Sequence, residues 1–323
     1  MKKYNLGFFP TPLQELKNLS KMYPGYKLFI KRDDCTGLAS GGNKTRKLEY
    51  LIQDAIDKGC NTIITAGAQQ SNHCRQTAAA CAQADLKCHL LLGGTEPKHY
   101  NGNLLLSSLL GATIHFSGEN RKGEDLEKLA EELRKNGLKP YIIPYGGSNI
   151  IGIRGFIDAI GELKKQIALH KLHIDYIFFA SSSGGTHAGL TLGKSIYNMD
   201  FKLMPVSIDK DETYGQKLDK YVLNLVNQGK DLFNIKQSFK LDDFNVISEY
   251  DEAGYGNITN NEIAAITELA EHEGILLDPV YTGRAFYGMT DYLKKKLIKS
   301  DSNVLFWHTG GLPATFYYGD KLK

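Results

Sequence analysis

The sequence has few of the features that mark disulfide-rich, secreted or membrane proteins. It has five cysteines in 323 residues, an odd number with no CxxC pair, so we expect reduced thiols, a cytoplasmic location and no metal site. Residues 1–6 lack the apolar core of a signal peptide, and no apolar run approaches a membrane span. With 39 basic and 36 acidic residues the net charge is only +3, which indicates neither nucleic acid nor a membrane as partner.

What the sequence does contain is an ordinary globular composition, 42% hydrophobic and 23% charged, without repeats or low-complexity tracts. Its length suits one large domain or two closely associated ones. Strand-like and helix-like segments alternate almost throughout. The predicted strands are 28–30, 62–66, 89–92, 112–116, 141–143, 176–180, 203–208 and 303–307. The predicted helices begin at Lys44 and cover 71–84, 104–110, 124–135, 153–170, 187–197, 215–227 and 260–273.

Such alternation predicts an α/β fold with mostly parallel sheets covered by helices on both faces. In these folds ligands bind beyond the carboxyl ends of the strands, where a strand continues into a helix through a loop. Four loops rich in Gly, Ser, Thr and Asn occupy such positions, at 41–45, 67–73, 181–187 and 309–311. The polar stretch 227–243 is predicted to be a surface excursion.

Lys44 stands at the start of a strongly patterned helix, after Gly41 and Gly42. Asn43 is a candidate N-cap, which places Lys44 in the first turn. A positive charge is disfavoured there, so the position favours a neutral amine that can form an imine with a carbonyl compound. Two alternatives remain open on this segment alone: a P-loop, whose spacing Asn43 breaks, and an ordinary exposed lysine.

The segment from Ser181 to Thr186 follows a predicted strand and leads into a helix. Its glycines expose backbone N–H groups, its hydroxyls add donors, and the helix N-terminus favours an anion, so one phosphate group is the natural ligand. A flexible Ser/Gly loop is the alternative, while the glycine spacing does not match a dinucleotide fingerprint.

Three further residues stand where a ligand could be met. Ser71, in Gln70-Ser71-Asn72-His73, is a candidate N-cap of the following helix, and capping alone would explain it. Tyr255 and Tyr281 lie close to glycines on loops, where a tyrosine can stack on a ring or act as an acid or base. Most tyrosines, however, are plain core or surface aromatics.

Taken together, these segments resemble the pyridoxal-phosphate enzymes of the tryptophan-synthase-β type, in the branch of D-cysteine desulfhydrases and 1-aminocyclopropane-1-carboxylate deaminases. Seven matches occur in the family's order between residues 9 and 311, so the resemblance covers nearly the whole chain. They are Phe9-Pro10-Thr11-Pro12-Leu13, Lys31-Arg32-Asp33-Asp34, the segment 41–49, Gln70-Ser71-Asn72-His73, the segment 183–189, the segment 277–283 and His308-Thr309-Gly310-Gly311.

The resemblance implies a two-domain fold type II enzyme that binds pyridoxal 5′-phosphate and acts on a small amino acid. It implies a large domain of residues 1–46 and 159–323, a small inserted domain of residues 47–158, and a homodimer. Lys44 would carry the cofactor and Ser71 would contact the substrate carboxylate or assist proton transfer, with Tyr255 and Tyr281 beside the ring and substrate. The other implied cofactor contacts are Asn43, Asn72 at the ring hydroxyl, Ser183, Gly184, Gly185 and Thr186 at the phosphate, and Thr282 and Thr309 near the ring nitrogen.

Thr282 and Thr309 also separate the two branches, because the cyclopropane deaminases carry Glu and Leu there. A Glu stabilises a protonated ring nitrogen and thus a deep electron sink, whereas Thr offers only a neutral hydrogen bond. We therefore expect β-elimination of D-cysteine to sulfide, pyruvate and ammonia, with Lys44 or a loop tyrosine as the base. Gln69, where the family more often has an aliphatic residue, is expected to alter which side chain the pocket accepts. The alternatives are cyclopropane-acid deamination, elimination from another small β-substituted amino acid, and a catalytically silent ligand-binding protein.

Overall fold

Two sheets organise the computed structural model, which describes residues 2–244 and 246–322. The larger sheet has the strand order β1-β2-β9-β7-β8, and the smaller has the order β5-β4-β3-β6. The strands are β1 (Leu13–Glu15), β2 (Tyr26–Arg32), β3 (Thr62–Gly67), β4 (Lys87–Leu92), β5 (Thr113–Phe116), β6 (Pro140–Ile142), β7 (Tyr176–Ser181), β8 (Lys202–Ser207) and β9 (Ser302–His308).

All strand pairs are parallel except β1 with β2. Helices connect the strands and cover the sheets. They are α1 (Lys17–Met22), α2 (Lys44–Asp57), α3 (Asn72–Gln83), α4 (Gly102–Leu109), α5 (Leu126–Lys135), α6 (Arg154–His170), α7 (Gly185–Ile196), α8 (Leu218–Leu232), α9 (Asn260–Glu273), α10 (Thr282–Lys294) and α11 (Leu312–Tyr317).

Successive strand residues point into different cores, which is why the predicted strands are apolar without strict alternation. In β9, Val304 and Phe306 belong to one buried cluster, whereas Leu305 and Trp307 belong to another on the opposite face. In the smaller sheet, Ile63 belongs to the buried cluster that includes residues of α2 and α3, whereas Ile64 and Ala66 belong to the cluster that includes residues of α5. The predicted fold, parallel sheets covered on both faces, is confirmed.

Several predicted boundaries were wrong. The helix predicted at 215–227 is α8, which begins at Leu218 and continues to Leu232, so the proposed surface excursion starts inside a helix. Strand β1 and helices α1, α10 and α11 were not assigned. The short elements have too few residues to show a period, and α10 follows the ligand loop without a polar break.

A buried ionic network joins the first turn of α2 to the larger sheet. Arg46 donates from Nη2 to Asp33 Oδ1 at 2.8 Å and from Nη1 to Glu162 Oε2 at 2.9 Å. The same Asp33 accepts a 2.8 Å hydrogen bond from Nε1 of Trp307, and Glu162 also pairs with Lys31. Because buried charges must be paired, this network fixes the helix that begins at the candidate lysine.

Among the described residues, no helix is long and apolar enough to cross a membrane. All five cysteines are free thiols. Within the same ranges no group of three or more His, Cys, Asp and Glu side chains could hold a metal ion. The domain boundaries at 46/47 and 158/159 stay a prediction.

Candidate active site

A cavity opens at the carboxyl ends of strands from both sheets, where the starts of α2, α3 and α7 converge. This is the place that parallel α/β topology predicts for a ligand. Its lining includes nine of the twelve residues predicted as a site: Asn43, Lys44, Ser71, Asn72, Ser183, Gly184, Thr186, Tyr281 and Thr309.

Lys44 is the first residue of α2, and its amine lies in this cavity. Nζ is 3.4 Å from the carbonyl oxygen of Gly146, and the described residues that line the cavity offer the amine no carboxylate partner. Burial lowers the pKa of Lys44 to about 8. The neutral amine, the form that attacks a carbonyl carbon, is therefore a much larger fraction near physiological pH than it would be for an ordinary lysine.

Asn43 occupies the N-cap position of α2, but its side chain does not cap the helix. Its Nδ2 instead donates to Oγ1 of Thr186 at 3.1 Å, across the cavity floor. The predicted N-cap position of Asn43, with Lys44 in the first turn, is therefore confirmed, although the side chain forms no capping hydrogen bond. The residue ties the lysine helix to the start of α7, which sequence spacing alone does not reveal.

The N-cap residue of α7 is a glycine with no side chain, and the backbone N–H of Gly185 donates instead to Oγ of Ser148 at 3.1 Å. Gly184 has φ +74°, a conformation that favours glycine, and a Cβ on Gly185 would lie 2.6 Å from Oγ of Ser148 and 2.7 Å from Nζ of Lys47. Ser148 Oγ donates to Ser183 Oγ at 2.8 Å. The result is a narrow cradle of N–H groups, hydroxyls and one amine at a helix N-terminus, which suits a phosphate.

Lys47 completes this cradle and was missed in the sequence. It is fully buried, and its Nζ donates to the carbonyl oxygen of Gly146 at 3.0 Å and to Ser148 Oγ at 3.2 Å. Burial, and then the nearby charge of Lys44, lowers the pKa of Lys47. Its position three residues after Lys44, on the same helix face, was the available signal.

The start of α3 is organised by side chains. Ser71 Oγ accepts from the backbone N–H of Cys74 at 3.2 Å, so the predicted cap is confirmed. Asn72 Oδ1 accepts from Asn103 Nδ2 at 2.9 Å, which leaves the amide N–H groups of Asn72 for a ligand. Asn103 was not predicted, because it comes from α4 and no local pattern marks it.

His73 also lines the cavity. Thr65 Oγ1 donates to the carbonyl oxygen of Ile143 at 2.8 Å, so it must accept the 2.9 Å hydrogen bond from His73 Nε2. Burial lowers the pKa of His73 well below its usual value, which makes the ring neutral.

Comparison with known proteins agrees with this geometry. Residues 4–310 match the family described as pyridoxal-phosphate dependent enzyme. A Pyrococcus horikoshii protein named "Putative 1-aminocyclopropane-1-carboxylate deaminase" is 40% identical over 315 residues, 97% of this chain and 92% of the relative. D-cysteine desulfhydrase of Klebsiella pneumoniae is 40% identical over 322 residues, 97% of this chain and 95% of the relative. A crystal structure of an ACC deaminase homologue superposes with a TM-score of 0.91 at 38% identity, covering 100% of this chain and 95% of that one.

The chain belongs to the pyridoxal-phosphate dependent enzyme family. Its relatives include both cyclopropane-carboxylate deaminases and D-cysteine desulfhydrases, so family membership does not distinguish the two substrates.

The residues present fit the cofactor that this family uses. The lysine amine, with its lowered pKa, suits the aldehyde of the cofactor, and the cradle at Gly184 and Gly185 suits its phosphate. The free amide of Asn72 suits a ring oxygen. All three groups face one cavity or its edge. The cofactor, when bound, supplies the electron sink for carbanion chemistry at the α-carbon of an amino acid.

Two predicted tyrosines of this pyridoxal-phosphate dependent enzyme form a pair. Tyr281 lines the cavity and Tyr255 lies behind it, with 2.7 Å between their hydroxyl oxygens and their rings edge to face at 5.8 Å. Burial raises the pKa of both phenols well above 10. They are therefore suited to donating hydrogen bonds and protons, and poorly suited to being bases.

The two threonines differ in position. Thr309 lines the cavity, whereas Thr282 is not among the lining residues. Thr282 Oγ1 donates to Asp278 Oδ1 at 2.7 Å and accepts from the backbone N–H of Asp278 at 2.8 Å. Its hydroxyl is thus engaged by the loop before α10, which differs from the expectation of a contact with the ring nitrogen.

Gln69 does not line the cavity. Its Nε2 donates to the carbonyl oxygens of Gly93 at 3.3 Å and Thr95 at 2.9 Å. The amide of Gln69 thus holds the loop after β4, and an effect of Gln69 on which side chain the pocket accepts stays a prediction.

Proposed function

We propose that this pyridoxal-phosphate dependent enzyme eliminates sulfide from D-cysteine. With water the net reaction yields hydrogen sulfide, pyruvate and ammonia. One observation carries the proposal: no Asp or Glu is among the described residues that line the cavity. A carboxylate beside the ring nitrogen would stabilise the deep sink that opening a cyclopropane needs, whereas a thiolate is a good leaving group and needs less.

The surroundings of Thr282 support this proposal. The nearest carboxylate along this loop is Asp278, which is fully buried. Its oxygens accept from Thr282 Oγ1 and from the backbone N–H groups of Val280, Tyr281 and Thr282, at 2.7 to 3.1 Å. A carboxylate with four donors is already satisfied, so it is not available to a bound ring.

We propose Lys44 as the base that removes the α-proton. Its pKa, lowered to about 8, makes the neutral amine far more accessible than in an ordinary lysine, whereas the raised pKa values of Tyr255 and Tyr281 disfavour a phenolate. Tyr281, at the cavity wall and still protonated, is placed to donate a hydrogen bond to the departing sulfur. Ser71 is proposed to bind the substrate carboxylate with its hydroxyl proton, since its oxygen accepts the cap hydrogen bond.

Purified enzyme incubated with D-cysteine should release sulfide and pyruvate in equal amounts. Ammonia from the cyclopropane acid with no sulfide from D-cysteine would move the enzyme to the second candidate, which the names of its Pyrococcus horikoshii and crystallised relatives favour. Bound cofactor without turnover of any amino acid would favour a silent binding protein. Lys44→Ala should abolish sulfide release, because it removes both the attachment point and the base.

Thr309→Leu tests the proposal from the substrate side. The change removes the hydroxyl that Thr309 presents to the cavity, and we expect the rate with D-cysteine to fall about tenfold, the size of one lost hydrogen bond. Thr315→Val, in the following helix, is the matched control, since Thr315 does not line the cavity. Equal loss in both variants would contradict a role of Thr309 in the reaction.

We further propose the division into residues 1–46 with 159–323 and residues 47–158, which is supported by all four strands of the smaller sheet lying between Thr62 and Ile142. A cytoplasmic homodimer is proposed from the family resemblance. Sedimentation of the holoenzyme tests the dimer directly.

A further inference from the structure

One set of contacts outside the cavity joins a loop of the smaller sheet to a loop of the larger sheet. Arg121 lies in the loop between β5 and α5, on the side of the smaller sheet. Its Nη2 donates to Asp209 Oδ2 at 2.7 Å and to Asp211 Oδ2 at 2.8 Å, both in the loop that follows β8 of the larger sheet. Lys122 adds hydrogen bonds from Nζ to the carbonyl oxygens of Asp211 at 2.8 Å and Glu212 at 2.9 Å.

The guanidinium of Arg121 has a second contact, with the tyrosine pair. Its central carbon lies 4.5 Å from the centre of the Tyr255 ring, a cation–π stack. Nη1 of Arg121 is buried and has no hydrogen-bond partner among the described residues. An arginine that only joined two loops would not need to bury an unpaired N–H edge against a ring, because such burial costs free energy.

The backbone around Tyr255 is already fixed from the other side. Arg284 is fully buried and pairs with Glu262 at 2.8 Å. It also donates to the carbonyl oxygens of Gly254 at 3.0 Å and Asn257 at 2.6 Å. What remains for Arg121 to determine is therefore the orientation of the Tyr255 ring, and with it the 2.7 Å contact between the hydroxyls of Tyr255 and Tyr281.

We infer that Arg121 is a positioning residue: held by Asp209 of the other sheet's loop, it sets the ring of Tyr255, which in turn orients the Tyr281 hydroxyl at the substrate. The planar guanidinium is needed for the stack, whereas the ion pair needs only a cation. Association of the two sheets is thereby coupled to the geometry of a group in the cavity. The inference rests on the proposed function only for its kinetic test.

The kinetic test separates the stack from the ion pair. Arg121→Met and Arg121→Lys should both lower kcat with D-cysteine between about 10- and 100-fold, the range for a misplaced catalytic group, with KM changed less than about threefold. Tyr255→Phe should remove most of the further effect of Arg121→Met, because both changes act through the same hydroxyl. Arg134→Lys, on α5 in a solvent-exposed ion pair with Glu127, should leave kcat unchanged.

Full kcat in Arg121→Lys, or additive losses in the Arg121→Met, Tyr255→Phe double variant, would overturn the inference and leave a simple ion pair. A crystal structure of the Arg121→Lys holoenzyme tests the geometry without any substrate. We expect the hydroxyls of Tyr255 and Tyr281 to separate beyond hydrogen-bond distance, and an unchanged pair would also overturn the inference. If wild-type enzyme releases no sulfide from D-cysteine, the proposed function fails, while this structure still decides the role of Arg121.

Discussion

Two helices begin at the same cavity and differ in what their first backbone N–H groups bind. Helix α3 is capped by Ser71, and its first residue, Asn72, is held by Asn103. Helix α7 has glycines at its N-cap and first position, so it has no capping side chain of its own, and within the described part of the chain the N–H of Gly185 is held by Ser148 Oγ at 3.1 Å. A helix start leaves backbone donors that need an acceptor. The glycine start of α7 therefore marks where we expect the phosphate to bind, and the capped start of α3 presents side chains to the rest of the ligand.

Gly185→Ala should have the largest effect at the start of α7. The added Cβ would lie 2.6 Å from Ser148 Oγ and 2.7 Å from Lys47 Nζ, inside the cradle. We expect the affinity for pyridoxal phosphate to fall about 100-fold, as overpacking of a tight site costs a few kcal/mol. Equilibrium binding followed by cofactor absorbance measures it. Gly319→Ala, whose added Cβ would meet no described atom within 4 Å, should bind normally.

Lys47→Met should weaken the same start by removing the buried amine of the cradle. A hydrogen bond to a charged group contributes roughly 1.5–3 kcal/mol, so we expect at least a tenfold loss of cofactor affinity. The affinity for pyridoxal, which lacks the phosphate, should be unchanged. An equal loss for both compounds would mean that Lys47 supports the fold of the site rather than the phosphate.

The pH dependence of cofactor attachment tests the proposed role of Lys44. With its pKa lowered to about 8, the neutral fraction of the amine rises as pH increases and levels off above that value. Attachment of pyridoxal phosphate to the apoenzyme should therefore accelerate about tenfold from pH 7 to pH 9 and then become constant. An amine with an ordinary lysine pKa would keep accelerating beyond pH 10, and stopped-flow absorbance distinguishes the two.

Ser71→Ala should have the smallest effect on binding of the cofactor and a measurable effect on stability. Loss of an N-cap costs about 1 kcal/mol of the free energy of unfolding. Thr259, which caps α9 far from the cavity, is the matched control, and Thr259→Ala should destabilise equally. Only Ser71→Ala should also raise KM for the substrate. Unfolding in urea and steady-state kinetics measure both, and identical KM values would confine Ser71 to capping.

Local chemistry made much of the site predictable. Lys44, Ser71 and the loop before α7 each stand where a strand or a glycine turn leads into a helix, and the structure brings them to one cavity. Lys47 and Arg121 were missed for a different reason. Each acts through a residue that is distant in sequence, Ser148 for Lys47 and Asp209 for Arg121, and only the packing of the two sheets reveals these partners.

Two expectations about side-chain hydrogen bonds were not met, again because of the partner. Asn43 stands at the N-cap of α2, but its side chain forms no cap and donates instead from Nδ2 to Thr186 of another helix. Thr282 was expected at the ring, yet Asp278, four residues earlier, takes its hydroxyl. In both cases the residue type indicated that the side chain would form hydrogen bonds. It did not indicate with which partner, because partner choice depends on tertiary structure.

The single tryptophan has a use that its role in the buried network does not suggest. Trp307 is fully buried, donates to Asp33 and lies two residues before Thr309 at the cavity. Asp33 in turn holds Arg46, two residues after Lys44. Its fluorescence therefore comes from one known point in the network that holds the first turn of α2, and we expect ligand binding beside Lys44 to change it, so that binding can be followed optically without a label.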